Sequence, residues 1–286
     1  MKDGSCPRTW HRRKCFRSFT DLIMDSTSPT PVQQPSSGGR LWNFLSYARS
    51  LLITDLLIYL YTAACGTFSL CGSFFDAHGR WQHGCARTWS WLILKTSRVR
   101  LTVEGLENVD LHETVIFCSN HPSAMDIPIL FVSLPVQFRF LAKRVLFHVP
   151  FLGWHLRRSG HIPVDRGRPR EALKGFELAA KRIKEGRPVV VFPEGSRSRT
   201  GEMLPFKSGT FYLAILSGVP VVPVTLIGSR EVLMPDSLHI RAGRVRVIIH
   251  KAMSTAGLTV HDASDFSRRV REVIVSGLET AKDRPA

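Results

Sequence analysis

Thr114-Val115-Ile116-Phe117-Cys118-Ser119-Asn120-His121-Pro122-Ser123-Ala124-Met125-Asp126 is the stretch whose reading decides the fold. Its first five residues are rich in β-branched and aromatic types and carry no charge, which is the composition of a strand. Pro122 suits the first position of a helix, where its missing N–H leaves nothing unsatisfied. The segment therefore reads as strand, turn and helix, with His121 at the mouth of the helix and Asp126 about one turn in.

The same alternation continues on both sides. Short apolar runs at Val99 to Val103, Phe138 to Leu141, Ile162 to Val164, Val189 to Phe192, Val221 to Leu226 and Val245 to Ile249 read as further strands. Between them, Leu173, Phe176, Ala180 and Ile183 recur at the helical period, and Gly186 supplies the stop. A last helix buries Phe266, Val270, Val273 or Ile274, and Leu278. Strands alternating with helices define an α/β domain. No Gly/Ser/Pro-rich linker interrupts the chain after Arg98, so residues 98–286 read as one catalytic domain.

Upstream the character differs. Residues 1–40 are polar and basic, with Ser/Thr/Pro and Gly/Ser clusters that mark irregular structure, and are expected to be disordered. No apolar core follows the early charges, so a secretory signal is not expected, and Met24 is an alternative start. Residues 41–97 read as a membrane-associated helical segment. The uncharged run from Leu56 to Phe75 is just long enough to cross a bilayer, and Trp42, Tyr59, Tyr61 and Trp81 suit a headgroup interface. Asp55 and many small polar residues dilute its apolarity, and basic residues lie on both sides of it, so embedding in one leaflet is preferred to a single span. The expected location is the cytoplasmic face of the cell membrane.

Of the 286 residues, 44% are hydrophobic and 22% charged, as in a globular protein. The net charge of +16 demands an anionic partner. No zinc-finger, basic-zipper or RNA-recognition signature is present, so membrane lipids rather than nucleic acid are expected to supply it. The six cysteines form no C-x-x-C pair and no metal spacing; they read as free thiols, Cys118 among them as a packing residue.

The chemistry centres on His121. A carboxylate five residues further on can reach back to the imidazole, fix its tautomer and stabilise the imidazolium formed when the ring accepts a proton. No serine of the chain's own is needed if the substrate supplies the hydroxyl. A second constellation follows the strand Val189 to Phe192, where Pro193-Glu194-Gly195-Ser196-Arg197-Ser198-Arg199 puts charged groups at the carboxyl edge of a sheet, the place where α/β folds bind ligands. Arg197 or Arg199 can hold a phosphate bidentately, and Gly195 allows close backbone approach. Phe206-Lys207-Ser208-Gly209-Thr210 opens a helix whose amides can also meet an anion.

Asn120-His121 through Asp126 resembles the H-x4-D motif of the glycerolipid acyltransferases. Gly160-His161-Ile162-Pro163-Val164-Asp165-Arg166 resembles that family's second block, with Pro163 a departure from its usual pattern. Phe192 through Ser198 resembles its third block, and Val219-Pro220-Val221-Val222-Pro223-Val224 its fourth. The resemblance implies a mixed sheet flanked by helices, with His121 as general base and Asp126 as its orienting partner. It implies Arg166 and Arg197 as anchors for an acceptor phosphate, Glu194, Gly195 and Ser196 in the acceptor pocket, and Lys143 as a further basic group there. The implied reaction moves a fatty acyl group from acyl-CoA or acyl carrier protein to lysophosphatidate, with no cofactor beyond that co-substrate and no metal. A different phosphate-bearing acceptor, or a non-catalytic protein binding anionic lipid, are the alternatives.

Overall fold

The computed structural model describes residues 37–76, 78–149, 152–164 and 169–283. Seven strands form one sheet: β1 (Val99–Glu104), β2 (Ile116–Ser119), β3 (Arg139–Lys143), β4 (Ile162–Val164), β5 (Val189–Val191), β6 (Val221–Ile227) and β7 (Gly243–Ile249). Every expected strand is present, displaced by at most a few residues. The helices are α1 (Ser37–Arg49), α2 (Asp55–Gly72), α3 (Arg80–Thr96), α4 (Asp126–Ser133), α5 (Leu152–Arg158), α6 (Pro169–Lys184), α7 (Gly209–Ser217), α8 (Ser229–Val232) and α9 (Ala263–Asp283). A π-helical stretch, Ser50–Thr54, joins α1 to α2 without a break.

The strand order is β1-β7-β6-β2-β5-β3-β4. All neighbours are parallel except β6 and β7, so β1 and β7 run against the other five. The central strand β2 is buried along its whole length, as a parallel strand covered on both faces must be. Its alternation sorts the core. Phe117 faces a layer with Ile93 of α3 and Ile129 and Leu130 of α4. Ile116 and Cys118 face the opposite layer, with Ile183, Leu213, Phe266 and Ile274 of α6, α7 and α9. Phe117 has no exposed surface, so its truncation to Ala costs about 3–5 kcal/mol. Pro163 sits in the three-residue edge strand β4, where its missing N–H interrupts no ladder on the open side.

The helix expected to open at Pro122 begins four residues later, at Asp126. The reason is local. The Ser123 N–H is taken by the Asp126 carboxylate and the Met125 N–H by the Ser123 hydroxyl, which hold residues 123–126 in a side-chain-closed turn instead of a helical one. At the other end, residues 37–40 extend α1 where the sequence suggested irregular structure; residues 1–36 lie outside the described ones.

The helix from Trp42 to Gly72 is long and apolar enough to cross a membrane. Its polarity is inverted. Ser50, Thr54 and Ser69 are buried against the rest of the protein, whereas Leu51, Leu52, Ile53, Leu56, Leu60 and Phe68 are exposed. A helix facing water buries its apolar stripe; one facing lipid packs small and polar residues inward. Both ends of this stretch are docked. Ser50 accepts the Ile240 N–H at 2.8 Å and donates to the Leu238 carbonyl, and Ser69 hydrogen-bonds the His155 ring at 2.8 Å. Between these anchors the helix lies lengthwise along the domain for about 28 Å at 1.5 Å per residue.

Candidate active site

The site forms where β2, β5 and β6 end side by side. Asn120, immediately after β2, locks this corner: its amide donates to the Leu226 carbonyl and accepts the Leu226 N–H, at 2.9 and 2.8 Å. His121 follows, and its Nδ1 lies 2.8 Å from Asp126 Oδ2. Asp126 is completely buried. It accepts the Ser123 N–H on Oδ2 at 2.8 Å and the Ser229 hydroxyl on Oδ1 at 2.5 Å. A carboxylate so supplied with donors is held in place, and with Nδ1 of the ring donating to it the lone pair is left on Nε2. The ring stacks on Phe192 with centroids 3.9 Å apart and planes within 14° of parallel, which fixes its remaining rotation.

Glu194 couples the two motifs. Its Oε1 accepts the His121 N–H at 2.7 Å and its Oε2 the Leu204 N–H at 2.8 Å, so both carboxylate oxygens are engaged by backbone. Burial pushes the Glu194 carboxyl up from its ordinary value, and these two N–H donors oppose the shift. The next residue, Gly195, has φ +79°, a left-handed conformation that favours glycine, and a Cβ there would lie 3.0 Å from Lys207 Nζ. Lys207 thus brings a cation over the turn. Ser196 is exposed beyond it and Arg197 is half-buried. Arg199 pairs with Asp236 at 3.1 Å, and Arg230 donates to the Ser198 and Arg199 carbonyls, stapling the loop.

Lys143 ends β3 at this same carboxyl edge and is exposed. Arg166 lies outside the described residues; Val164, two positions before it, is paired with Lys143 across β3 and β4. The structure therefore joins His121, Asp126, Glu194 and Gly195 at one corner, has Ser196 and Arg197 in the loop that follows, and sets Lys143 at the end of β3 on the same edge. Cys118, one strand position below, is wholly buried, and burial, with the Glu194 charge, pushes its thiol well above the usual range, so it is no nucleophile.

Sequence reasoning missed Ser229 and Arg230 as members of this corner, and it credited the segment Phe206 to Thr210 with helix amides rather than with the Lys207 side chain. Ser229 follows Gly228 at the end of β6, and only the pairing of β6 with β2 brings it to Asp126.

A buried, hydrogen-bonded carboxylate orienting a histidine at the carboxyl edge of an α/β sheet is the arrangement that general-base chemistry requires. A family model described as Acyltransferase matches residues 100–227, the span that holds this corner. The 1-acyl-sn-glycerol-3-phosphate acyltransferase of Saccharomyces cerevisiae is 33% identical over 250 residues, covering 85% of this chain and 80% of its own. A chloroplastic 1-acyl-sn-glycerol-3-phosphate acyltransferase of Brassica napus is 37% identical over 180 residues. The chain spans about half the length of that relative and of a similar one from Arabidopsis thaliana, 52% and 50%. The crystal structure of the 1-acyl-sn-glycerophosphate acyltransferase PlsC from Thermotoga maritima superposes with a TM-score of 0.71 at 26% identity, covering 86% of this chain and 99% of that one. The chain belongs to the acyltransferase family that contains these 1-acyl-sn-glycerol-3-phosphate acyltransferases.

Proposed function

We propose that the protein transfers a fatty acyl group from acyl-CoA or acyl carrier protein to the sn-2 hydroxyl of lysophosphatidate, giving phosphatidate. The observation that carries this reading is the 2.8 Å bond from His121 Nδ1 to an Asp126 carboxylate itself held by Ser123 and Ser229. Nε2 removes the hydroxyl proton as the alkoxide oxygen attacks the thioester carbonyl. The tetrahedral intermediate then expels the thiolate, which takes the proton back from the imidazolium and leaves as free thiol. Transfer is direct, with no acyl-enzyme, and general-base assistance of this kind contributes about 10²- to 10⁴-fold. Backbone amides near the two motifs meet the oxyanion. Arg197, Arg166 and Lys143 hold the acceptor phosphate and so orient its hydroxyl. Arg197, half-buried in the third motif, takes this role, as the resemblance implies, while Arg199 pairs with Asp236.

The protein works at the cytoplasmic face of the cell membrane, with α1 and α2 lying in one leaflet. The inverted polarity of that helix and its docking at both ends support embedding over a perpendicular span. Such a placement lets a lysolipid reach the corner without leaving the interface.

An acceptor screen tests the reading. Purified protein is given labelled acyl-CoA with lysophosphatidate, glycerol 3-phosphate or lysophosphatidylcholine. Label in phosphatidate is expected. Label only in another lipid would reassign the acceptor, and none in any lipid, with acyl-CoA and again with acyl carrier protein as donor, would refute transfer.

A further inference from the structure

We infer that the amino edge of the sheet holds a second anion site, which takes the phosphate of a membrane lipid headgroup apart from the acyl-transfer corner. Arg139, the first residue of β3, is 4% exposed. Its Nη1 and Nη2 donate to the Phe138 and His78 carbonyls at 3.0 and 2.8 Å, and its Nε has no hydrogen-bond partner among the described residues. Four more guanidinium groups, those of Arg157, Arg158, Arg182 and Arg187, line with it a cavity of about 270 Å³. They converge: from the position of a Cβ on Gly160, Arg139 Nε, Arg182 Nη1 and Arg187 Nη1 lie at 3.3, 3.5 and 3.8 Å. The carboxylate in the lining, Asp76, is spent on the backbone N–H groups of His78, Gly79 and Trp81. Glu185 meets Arg187 only at 3.8 Å and at the surface.

Like charges gathered around a buried guanidinium repel one another unless an anion of comparable charge sits among them. The strain registers on Arg139, whose pKa is brought down to about 10 by burial and then by Arg187 and Arg182, with Asp76 only partly opposing the shift. A phosphate offers the oxygens that several guanidinium forks require. Its carrier is indicated by what surrounds the mouth. Ser73, at the end of α2, lines the cavity, and the adjoining Phe74 and Phe75 are 73% and 92% exposed. The Arg158 guanidinium lies 4.9 Å from the Phe74 ring centroid, so the cation cluster and the lipid-facing aromatics form one surface. This is a different place from the catalytic corner. Arg139 is in register with Val189 at the start of β5, whereas Glu194 follows the opposite, carboxyl end of that strand.

The lipid source rests on the membrane reading above, and the experiment separates the two. Wild type, Arg182→Gln/Arg187→Gln and a control, Lys251→Gln/Arg268→Gln, are sedimented with vesicles of phosphatidylcholine alone or mixed with phosphatidylglycerol. The arginine pair is expected to lose about fivefold in anionic-vesicle affinity per charge removed, keep its binding to neutral vesicles, and keep its turnover of detergent-dispersed acceptor. Unchanged binding to anionic vesicles, or an equal loss in the control, overturns the site. If the wild type ignores both kinds of vesicle, the membrane reading fails and the lipid source with it. Inorganic phosphate raising the melting temperature of wild type but not of the arginine pair would then assign the cavity to free phosphate.

Discussion

The two edges of the sheet bury opposite charges in opposite ways. At the carboxyl edge the acids are inside: Asp126 and Glu194 are nearly or wholly inaccessible, and each of their oxygens accepts a hydrogen bond. At the amino edge a base is inside: Arg139 is held by the Phe138 and His78 carbonyls, and no described carboxylate forms an ion pair with it. Burying an ion costs several kcal/mol unless donors or counter-charges replace water. The acids have their replacement within the chain, so they are fixed and serve chemistry there. The guanidinium cluster has less of it, and so is fitted to a partner from outside.

The sharpest way to test this contrast is to remove the charge from the satisfied acid while keeping its shape. Asp126→Asn can keep its carbonyl oxygen towards Ser123 N–H and His121 Nδ1 but loses the charge that stabilises the imidazolium, so turnover should fall by about 10²- to 10⁴-fold with little change in acceptor KM. Retention of more than a tenth of the activity would break the comparison. Glu194→Ala should act on stability, because it orphans the His121 and Leu204 amides at a cost of about 1–3 kcal/mol each; chemical denaturation measures it, and an unchanged midpoint would contradict the clamp. Ser229→Ala removes one of the donors to a carboxylate that keeps the others. Activity should fall about tenfold to a hundredfold, visible in kcat.

The amino edge yields a pH dependence. Burial depresses His83 and His155 from 6.5 to about 4, and pushes His161 well below its ordinary range. Between those values the unfolded chain binds more protons than the folded one, so stability rises with pH there and is lost as pH falls from about 6.5 toward 4. Melting temperatures measured across that window should decline steadily on acidification. A flat profile would mean that these rings are not buried neutral.

The strands were legible because β-branched, uncharged runs have few other uses, and the two motifs because each stands at the end of such a run. Strand order was not, since pairing between β2 and β6 joins residues 116–119 to 221–224 and nothing local records it. For the same reason Ser229 escaped notice although it touches Asp126 across 103 positions. The start of α4 was misplaced because Pro122 permits a helix, while the Asp126 and Ser123 side chains close the intervening turn. Five arginines scattered from 139 to 187 look in sequence like solvated surface; only the packing of β3, α5 and α6 gathers them. The net charge announced an anionic partner without saying where it binds.

The central claim is that one imidazole, oriented by Asp126, takes the proton of the acceptor hydroxyl. Its most direct test is His121→Ala assayed with labelled acyl-CoA and lysophosphatidate, beside circular dichroism and vesicle binding. The expected result is a loss of at least about 10²-fold in turnover, the lower bound for general-base assistance, with fold and vesicle binding retained. Near-normal transfer by that variant would contradict the account.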